Sequence, residues 1–195
     1  MPLDGNFLHP VITPRLIVRP FVIDDFDAIH AALNSAFGEM PAEERHEWLQ
    51  WSVLNEVALA RLYQPPYGDR AIVLKDTNEL VGSVGIVPAY GPFERLPSFH
   101  QRLATPNTSQ FTPEIGMYWG VHEKHRRQGY ASEAALALMN AMFEQHNLQR
   151  IIATTEYTNE GSMAVMRKIG MTIERNPEAE PPWFQVVGVK FNPNS

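Results

Sequence analysis

The chain has 195 residues, 16 Lys and Arg against 22 Asp and Glu for a formal charge of −6, and no cysteine. Without cysteine there is no disulfide framework, thiolate zinc site, iron–sulfur cluster or cysteine nucleophile, and the acidic balance is unlike the basic surface of a general nucleic-acid binder. A 44% hydrophobic fraction suits a folded chain, and the length suits one domain over residues 1–195. No apolar run approaches the ~18 residues of a membrane span. Met1-Pro2-Leu3-Asp4-Gly5 lacks the basic and apolar regions of a signal peptide, so a cytoplasmic protein with no membrane partner is expected.

In chain order, Leu16 to Phe21 reads as a short strand closed by Pro20, and Asp24 and Asp25 are N-cap candidates for a helix through Ile29, Ala32 and Leu33. A second helix runs from Pro41 to about Tyr63, its apolar face drawn from Trp48, Leu49, Val53, Val57 and Leu62, and Pro65-Pro66 stops it. Arg70 to Lys75 and Leu80 to Val87 read as a hairpin across the turn-rich Asp76-Thr77-Asn78-Glu79. From Pro88 to Gln110 the chain reads as a long loop, a length that in a compact domain signals function or mobility. Phe111 to Val121 is a strand, Gly129 to Gln145 an Ala-, Leu- and Met-rich helix, and Arg150 to Thr155 a strand. Gly161 to Ile169 is a helix, with closing strands at Met171 to Arg175 and Trp183 to Phe191. Helices interleaved with strands in this order predict an α/β or α+β sheet covered by helices.

The segment richest in chemistry is Trp119-Gly120-Val121-His122-Glu123-Lys124-His125-Arg126-Arg127-Gln128-Gly129-Tyr130-Ala131, a loop joining a strand to a helix. Lys124, Arg126 and Arg127 place three of the chain's 16 cations within four residues. Gly129 permits a tight turn without a Cβ, and the free N–H groups at a helix start favour an anion. Each such contribution is about 0.3–1 kcal/mol when exposed, and several together suit a pyrophosphate. A solvated basic loop before an ordinary helix is the plainer alternative.

Arg126-x-x-Gly129-x-Ala131 resembles the acyl-CoA motif of the GCN5-related N-acetyltransferases (GNAT). Asn159-Glu160-Gly161-Ser162 with Val165-Met166-Arg167-Lys168-Ile169-Gly170-Met171 is similar to the family's second cofactor segment. Thr13-Pro14-Arg15-Leu16-Ile17-Val18-Arg19-Pro20-Phe21 and Glu114-Ile115-Gly116-Met117-Tyr118-Trp119 resemble strands of its RimJ/RimL-like, ribosomal-protein branch. The resemblance implies a mixed, mostly antiparallel sheet, flanked by helices and splayed at its centre, over a motif-bearing core of about 13–191. It implies acetyl-CoA as donor and a cofactor set of Trp119, Val121, Arg126, Arg127, Gln128, Gly129, Tyr130, Ala131, Asn159 and Ser162. Val121 would offer backbone groups to the pantetheine arm, and Arg126 through Ala131 would wrap the pyrophosphate.

Acetyl transfer needs a neutral amine, and for an amine of pKa ~10.4 deprotonation at pH 7 costs about 4.6 kcal/mol. Glu114, a carboxylate inside a strand, is the expected base; a satisfied structural carboxylate is the alternative. Many family members carry an acid tyrosine where this chain has Met166, which leaves Tyr118, Ser162 and Tyr157 as open substitutes, or solvent. His46-Glu47-Trp48-Leu49-Gln50 misses the zinc-protease pattern at Gln50, and His122 and His125 lack a carboxylate cluster in sequence, so no metal is expected. By resemblance the acceptor enters near the first helices and the 88–110 loop, with Tyr90, Phe93, Arg95, Phe99, His100 and Arg102, which could equally be tucked into a core. Trp48 and Trp51 read as core or pocket wall. The expected function is direct transfer of acetyl to a primary amine (protein N-terminus, amino acid or small amine) by a monomer or homodimer. The alternative is a CoA-binding module that has lost catalysis.

Overall fold

Val- and Ile-rich runs form the strands and Ala- and Leu-rich runs the longer helices, as their propensities favour. The structure, a computed structural model, describes residues 9–64, 66–102 and 110–194, of which 100–102 by backbone alone. Its elements are β1 (Val11–Ile12), β2 (Leu16–Pro20), α1 (Phe26–Phe37), α2 (Ala42–Arg61), β3 (Gly68–Leu74), β4 (Leu80–Gly91), β5 (Thr112–Val121), α3 (Tyr130–His146), β6 (Arg150–Thr155), α4 (Glu160–Lys168), β7 (Thr172–Arg175) and β8 (Val186–Phe191). The strands hydrogen-bond in the order β1-β2-β3-β4-β5-β6-β8-β7, with β5 and β6 parallel. This mixed, mostly antiparallel sheet is the expected fold class.

The chain divides into two compact units. The first comprises Met1–Val87 and Tyr118–His146. In it β1, β2, β3 and β4 form an antiparallel meander, with Leu16 opposite Leu74 and Ile72 opposite Gly82. The end of β5 joins the start of β4 where the His122 N–H donates to the Val81 carbonyl, 2.9 Å. Phe21, Ile29, Leu33, Leu49 and Val73 form the core under α1 and α2, with Trp48 packed edge-on against Phe21 at 5.5 Å. Burying each such large side chain contributes about 1.5–3 kcal/mol. Along α3, Ala134, Ala135, Leu138, Met139 and Met142 are fully buried.

The second unit comprises Pro88–Met117 and Asn147–Ser195. Here β8 lies between β6 and β7, antiparallel to both. β5 meets β6 at Gly116 and Ile152, the one register pair between them among the described residues. Phe93, Leu96, Phe99, Ile152, Phe184, Val187 and Val189 are its core.

Several expectations need correction. Asp25 occupies the position before α1, but its carboxylate does not cap that helix. It accepts instead from the Val22 N–H at 2.9 Å and from Arg19 at 2.7 and 2.8 Å. On α2, Val57 and Leu62 are exposed, because the helix buries only the stripe through Leu49. The 88–110 segment is less of a loop than expected: β4 continues to Gly91, and 3₁₀ turns follow at Phe93–Arg95 and Pro97–Arg102. Phe93, Leu96 and Phe99 anchor it in the core, while residues 103–109 lie outside those described. Trp183 begins no strand, since Pro181 and Pro182 set a 3₁₀ turn and β8 starts at Val186.

Candidate functional site

The basic loop lies in the first unit. β5 ends at Val121, a 3₁₀ turn spans Glu123–His125, and the chain reaches α3 through two left-handed residues, Arg127 (φ 62°) and Gly129 (φ 84°). The first hydrogen bond of α3 is the Glu133 N–H to the Gly129 carbonyl, 3.0 Å. The amides of Tyr130, Ala131 and Ser132 precede it and have no intrahelical acceptor, which is the state of any helix start and the physical basis of its attraction for anions.

Three side chains brace this loop. Arg126 donates from Nη2 to the Ser35 carbonyl at 2.6 Å and from Nε to the Val121 carbonyl at 3.3 Å, tying the loop to the end of α1. Arg15 on the β1–β2 connection donates to the Gln128 carbonyl at 3.0 Å, stacks on the Tyr130 ring at 4.6 Å and pairs with Glu133. The Thr13 hydroxyl donates to the other Glu133 oxygen at 2.6 Å. These bonds hold the Glu133 carboxyl below the usual carboxylate range against the opposing effect of burial. Arg127 and Gln128 are exposed on the outer turn, and Gly129 and Tyr130 are half-buried. The resemblance quoted Arg15 and Thr13 for strand β2, yet their work here is loop support, visible in sequence only as a cation and a hydroxyl ahead of a strand.

Of the other expected cofactor residues, Trp119 is half-buried on β5 and Val121 is buried. Asn159 and Ser162 belong to the second unit, where the Asn159 Oδ1 accepts from the Ser162 N–H at 3.0 Å and caps α4. Met166, at the position of the family's tyrosine, is fully buried, and a Cβ on Gly188 would meet its sulfur at 3.0 Å. A packed thioether has no proton to give. The Tyr157 hydroxyl donates to the Asn176 carbonyl.

Glu114 sits in the second unit as half of a buried pair. Arg150 donates to its two oxygens at 2.8 and 2.5 Å, and the same guanidinium stacks over Phe99 at 4.4 Å. Bidentate pairing occupies both carboxylate oxygens and fixes their direction. Sequence reasoning passed over Arg150, whose signal was a cation opening a strand.

Tyr118 lies in a different cluster, in the first unit. Its hydroxyl is 2.7 Å from that of Ser83 on β4, and it donates to Asp69 on β3, which also accepts from the Trp48 indole. Burial, then the Asp69 charge, pushes the Tyr118 hydroxyl well above its ordinary pKa. Burial also raises the Asp69 carboxyl, against the lowering effects of Tyr118, Trp48 and Arg45. Arg45 on α2 is 5% exposed, stacks on Trp48 at 5.2 Å and donates to the Asn34 Oδ1 at 3.3 Å. The strand expected from Arg70 starts two residues earlier, at Gly68, and so includes Asp69, on which the sequence reading was silent.

Beside the loop a cavity of about 460 Å³ is lined by Arg19, Asp25, Glu79, His122, Lys124 and His125. His125 Nε2 lies 3.1 Å from Glu79, and His122 Nδ1 accepts from the Lys124 N–H at 3.2 Å. Among the described residues, no helix is long and apolar enough to cross a membrane.

Residues 15–172 match the family model for an acetyltransferase (GNAT) domain. The chain is 28% identical over 168 residues to the uncharacterized N-acetyltransferase YnaD of Bacillus subtilis, covering 84% of this chain and 83% of that one. Its fold is similar to a crystallised acetyltransferase of Agrobacterium tumefaciens, with a TM-score of 0.67, 24% identity and 94% of each chain covered. It is also similar to RimL, a ribosomal L7/L12 alpha-N-protein acetyltransferase solved with coenzyme A, at a TM-score of 0.60, 17% identity, and 94% and 97% coverage. The protein thus belongs to the GNAT acetyltransferase family and is an N-acetyltransferase by class.

Proposed function

We propose that this protein transfers the acetyl group of acetyl-CoA directly to a primary amine: a protein N-terminus, an amino acid or a small amine. The observation that carries this reading is the loop at the start of α3. Two left-handed residues turn it, Arg126 and Arg15 brace it, and three amides precede the first helical bond in a net-basic segment. That combination suits the pyrophosphate of acetyl-CoA. The coenzyme A bound to RimL supports the same donor.

The proposed cofactor set keeps Trp119, Val121, Arg126, Arg127, Gln128, Gly129, Tyr130, Ala131, Asn159 and Ser162. Arg126 acts in it by shaping the loop, because its guanidinium is already bonded to two carbonyls. Glu114 is read as a positioning residue whose pair with Arg150 fixes β5 against β6. Ser162 and Tyr118 keep hydroxyls that could serve the leaving thiolate. The family match runs through both compact units, which supports reading them as one acetyltransferase domain.

The test is release of CoA thiol from acetyl-CoA with and without added amines. Saturable release that depends on the amine is expected. Tight binding of acetyl-CoA with release unaffected by any amine would contradict catalysis and favour a CoA-binding module.

A further inference from the structure

Acetylation of an amine that arrives as an ammonium ion needs a carboxylate able to accept a proton, and many carboxylates here are already committed. Glu114, Asp25 and Glu56 are each held by an arginine, at 2.5, 2.7 and 2.8 Å respectively. Asp69 is different. Its hydrogen-bond donors are both neutral, the Tyr118 hydroxyl and the Trp48 indole N–H. A carboxylate has about four lone-pair sites, so two such bonds leave room for a third donor.

The backbone is arranged to bring Asp69 and Tyr118 together. Asp69 on β3 is in register with Gly85 on β4, and Tyr118 is on β5, the next strand. A Cβ at Gly85 would stand 2.5 Å from the Tyr118 ring and 2.9 Å from the Asp69 Oδ1. The missing side chain is the space through which the tyrosine reaches across β4. Ser83 on the same strand supplies its hydroxyl to Tyr118 at 2.7 Å, giving a chain from Ser83 to Tyr118 to Asp69. Asp69 and Tyr118 are both half-buried. Tyr118 is also three residues before Val121, whose carbonyl receives Arg126 of the loop. In acetyl-CoA the thioester is a pantetheine arm away from the pyrophosphate, so a reacting group is expected along β5 and not at the loop itself.

We infer that Asp69 is the base of the acetyl transfer, held by Tyr118 and Trp48 and open to the acceptor ammonium. This assignment rests on the acetyltransferase reading above. The ammonium gives one proton to the Asp69 carboxylate, and the neutral nitrogen attacks the thioester carbonyl carbon. The C–N bond forms, the C–S bond breaks, and the departing thiolate takes a second proton from the nitrogen. The third hydrogen stays on the amide, and Asp69 returns its proton to solvent. The charged and titratable groups facing Asp69 are Arg45 from α2 and Tyr118 from β5. Its raised carboxyl lies closer to neutral pH than an ordinary aspartate, which suits a base.

The test follows thiol release from acetyl-CoA across pH 6–9, with 2-phenylethylamine, lysinamide, an alanine-led tripeptide and buffer alone as acceptors. Wild type, Asp69→Asn and Tyr118→Phe are compared, with acetyl-CoA affinity measured for each by calorimetry. Asp69→Asn is expected to lower kcat/KM by about 100-fold or more, to make the remaining rate follow the free-amine fraction of the acceptor across the pH range, and to leave acetyl-CoA affinity unchanged. Tyr118→Phe removes a bond that lowers the Asp69 pKa, so its acid limb moves to higher pH. A folded Asp69→Asn with wild-type rates and profile overturns the assignment, whether read with an amine or as hydrolysis in buffer. Should Asp69→Asn not fold, an unshifted limb in Tyr118→Phe overturns it equally. Wild type that does not bind acetyl-CoA overturns the acetyltransferase reading and this assignment together, whereas the other failures leave wild-type activity intact.

Discussion

Gly129 holds a φ of 84° at the last step before α3, where an L side chain is strained and a β-branched one more so. Gly129→Val is expected to weaken acetyl-CoA binding at least tenfold, about 1.4 kcal/mol, in a protein whose circular dichroism is unchanged. Unaltered affinity in that folded variant would remove the loop from the binding site. The same glycine, with Arg126 and Ala131, was legible in sequence because its spacing reports a backbone need. Asp69 was not legible. Its role depends on register across three strands and on the absence of a side chain at Gly85, and no local pattern encodes either. Glu114 illustrates the converse: its place inside a strand marked it as an unusual carboxylate, but only the partner strand reveals Arg150 at both oxygens.

Among the elements, β4 and β5 approach closely at Gly82, where a Cβ would lie 2.2 Å from the Gly120 carbonyl oxygen and 2.9 Å from the Val121 Cα. Backbone cannot step aside as a side-chain tip does. Gly82→Ala is therefore expected to cost at least the 1–3 kcal/mol of ordinary overpacking, lowering Tm by about 2–4 °C per kcal/mol in a chain of this size. Gly161 provides the contrast. It is exposed in the first turn of α4, and its Cβ would meet only the Asn159 Oδ1 at 3.6 Å. Gly161→Ala is expected to raise Tm, by the equivalent of about 0.4–1 kcal/mol. Thermal melts of both variants check the pair, and a Gly82→Ala as stable as wild type would contradict the packing described. Apart from the two-residue β1, which the sequence reading missed, helix and strand order was readable from periodicity, and most boundaries fell within a few residues. The described part of the 88–110 segment, up to Arg102, differs from the loop expected because its prolines conceal the strand end and 3₁₀ turns. Its hold on the core comes from Phe93, Leu96 and Phe99, which are too irregularly spaced to betray a helix or strand.

For the molecule as a whole, the acidic balance said little about where the charge acts, since the cations that matter are gathered at one loop and in a few buried pairs. One half-buried group is expected to give stability a pH dependence. His146 at the end of α3 has its pKa lowered, first by burial and then by the Arg70 charge. A depressed histidine favours the folded state above its unfolded pKa of ~6.5. That advantage is lost as pH falls toward the folded value, because the unfolded chain binds the proton first. Tm is expected to decline as pH drops below about 6.5, and His146→Phe to flatten this part of the curve; an equally steep decline in a folded His146→Phe would place the effect elsewhere. The central claim, that the α3 loop belongs to an acetyl-CoA site, is tested most directly by calorimetric titration of the protein with acetyl-CoA, repeated with CoA lacking its 3′-phosphate. A Kd on the order of micromolar, about −8 kcal/mol, is the predicted result, with the second titration showing whether the basic cluster reads that phosphate. No heat of binding at millimolar acetyl-CoA, from a sample shown to be folded, would contradict the account.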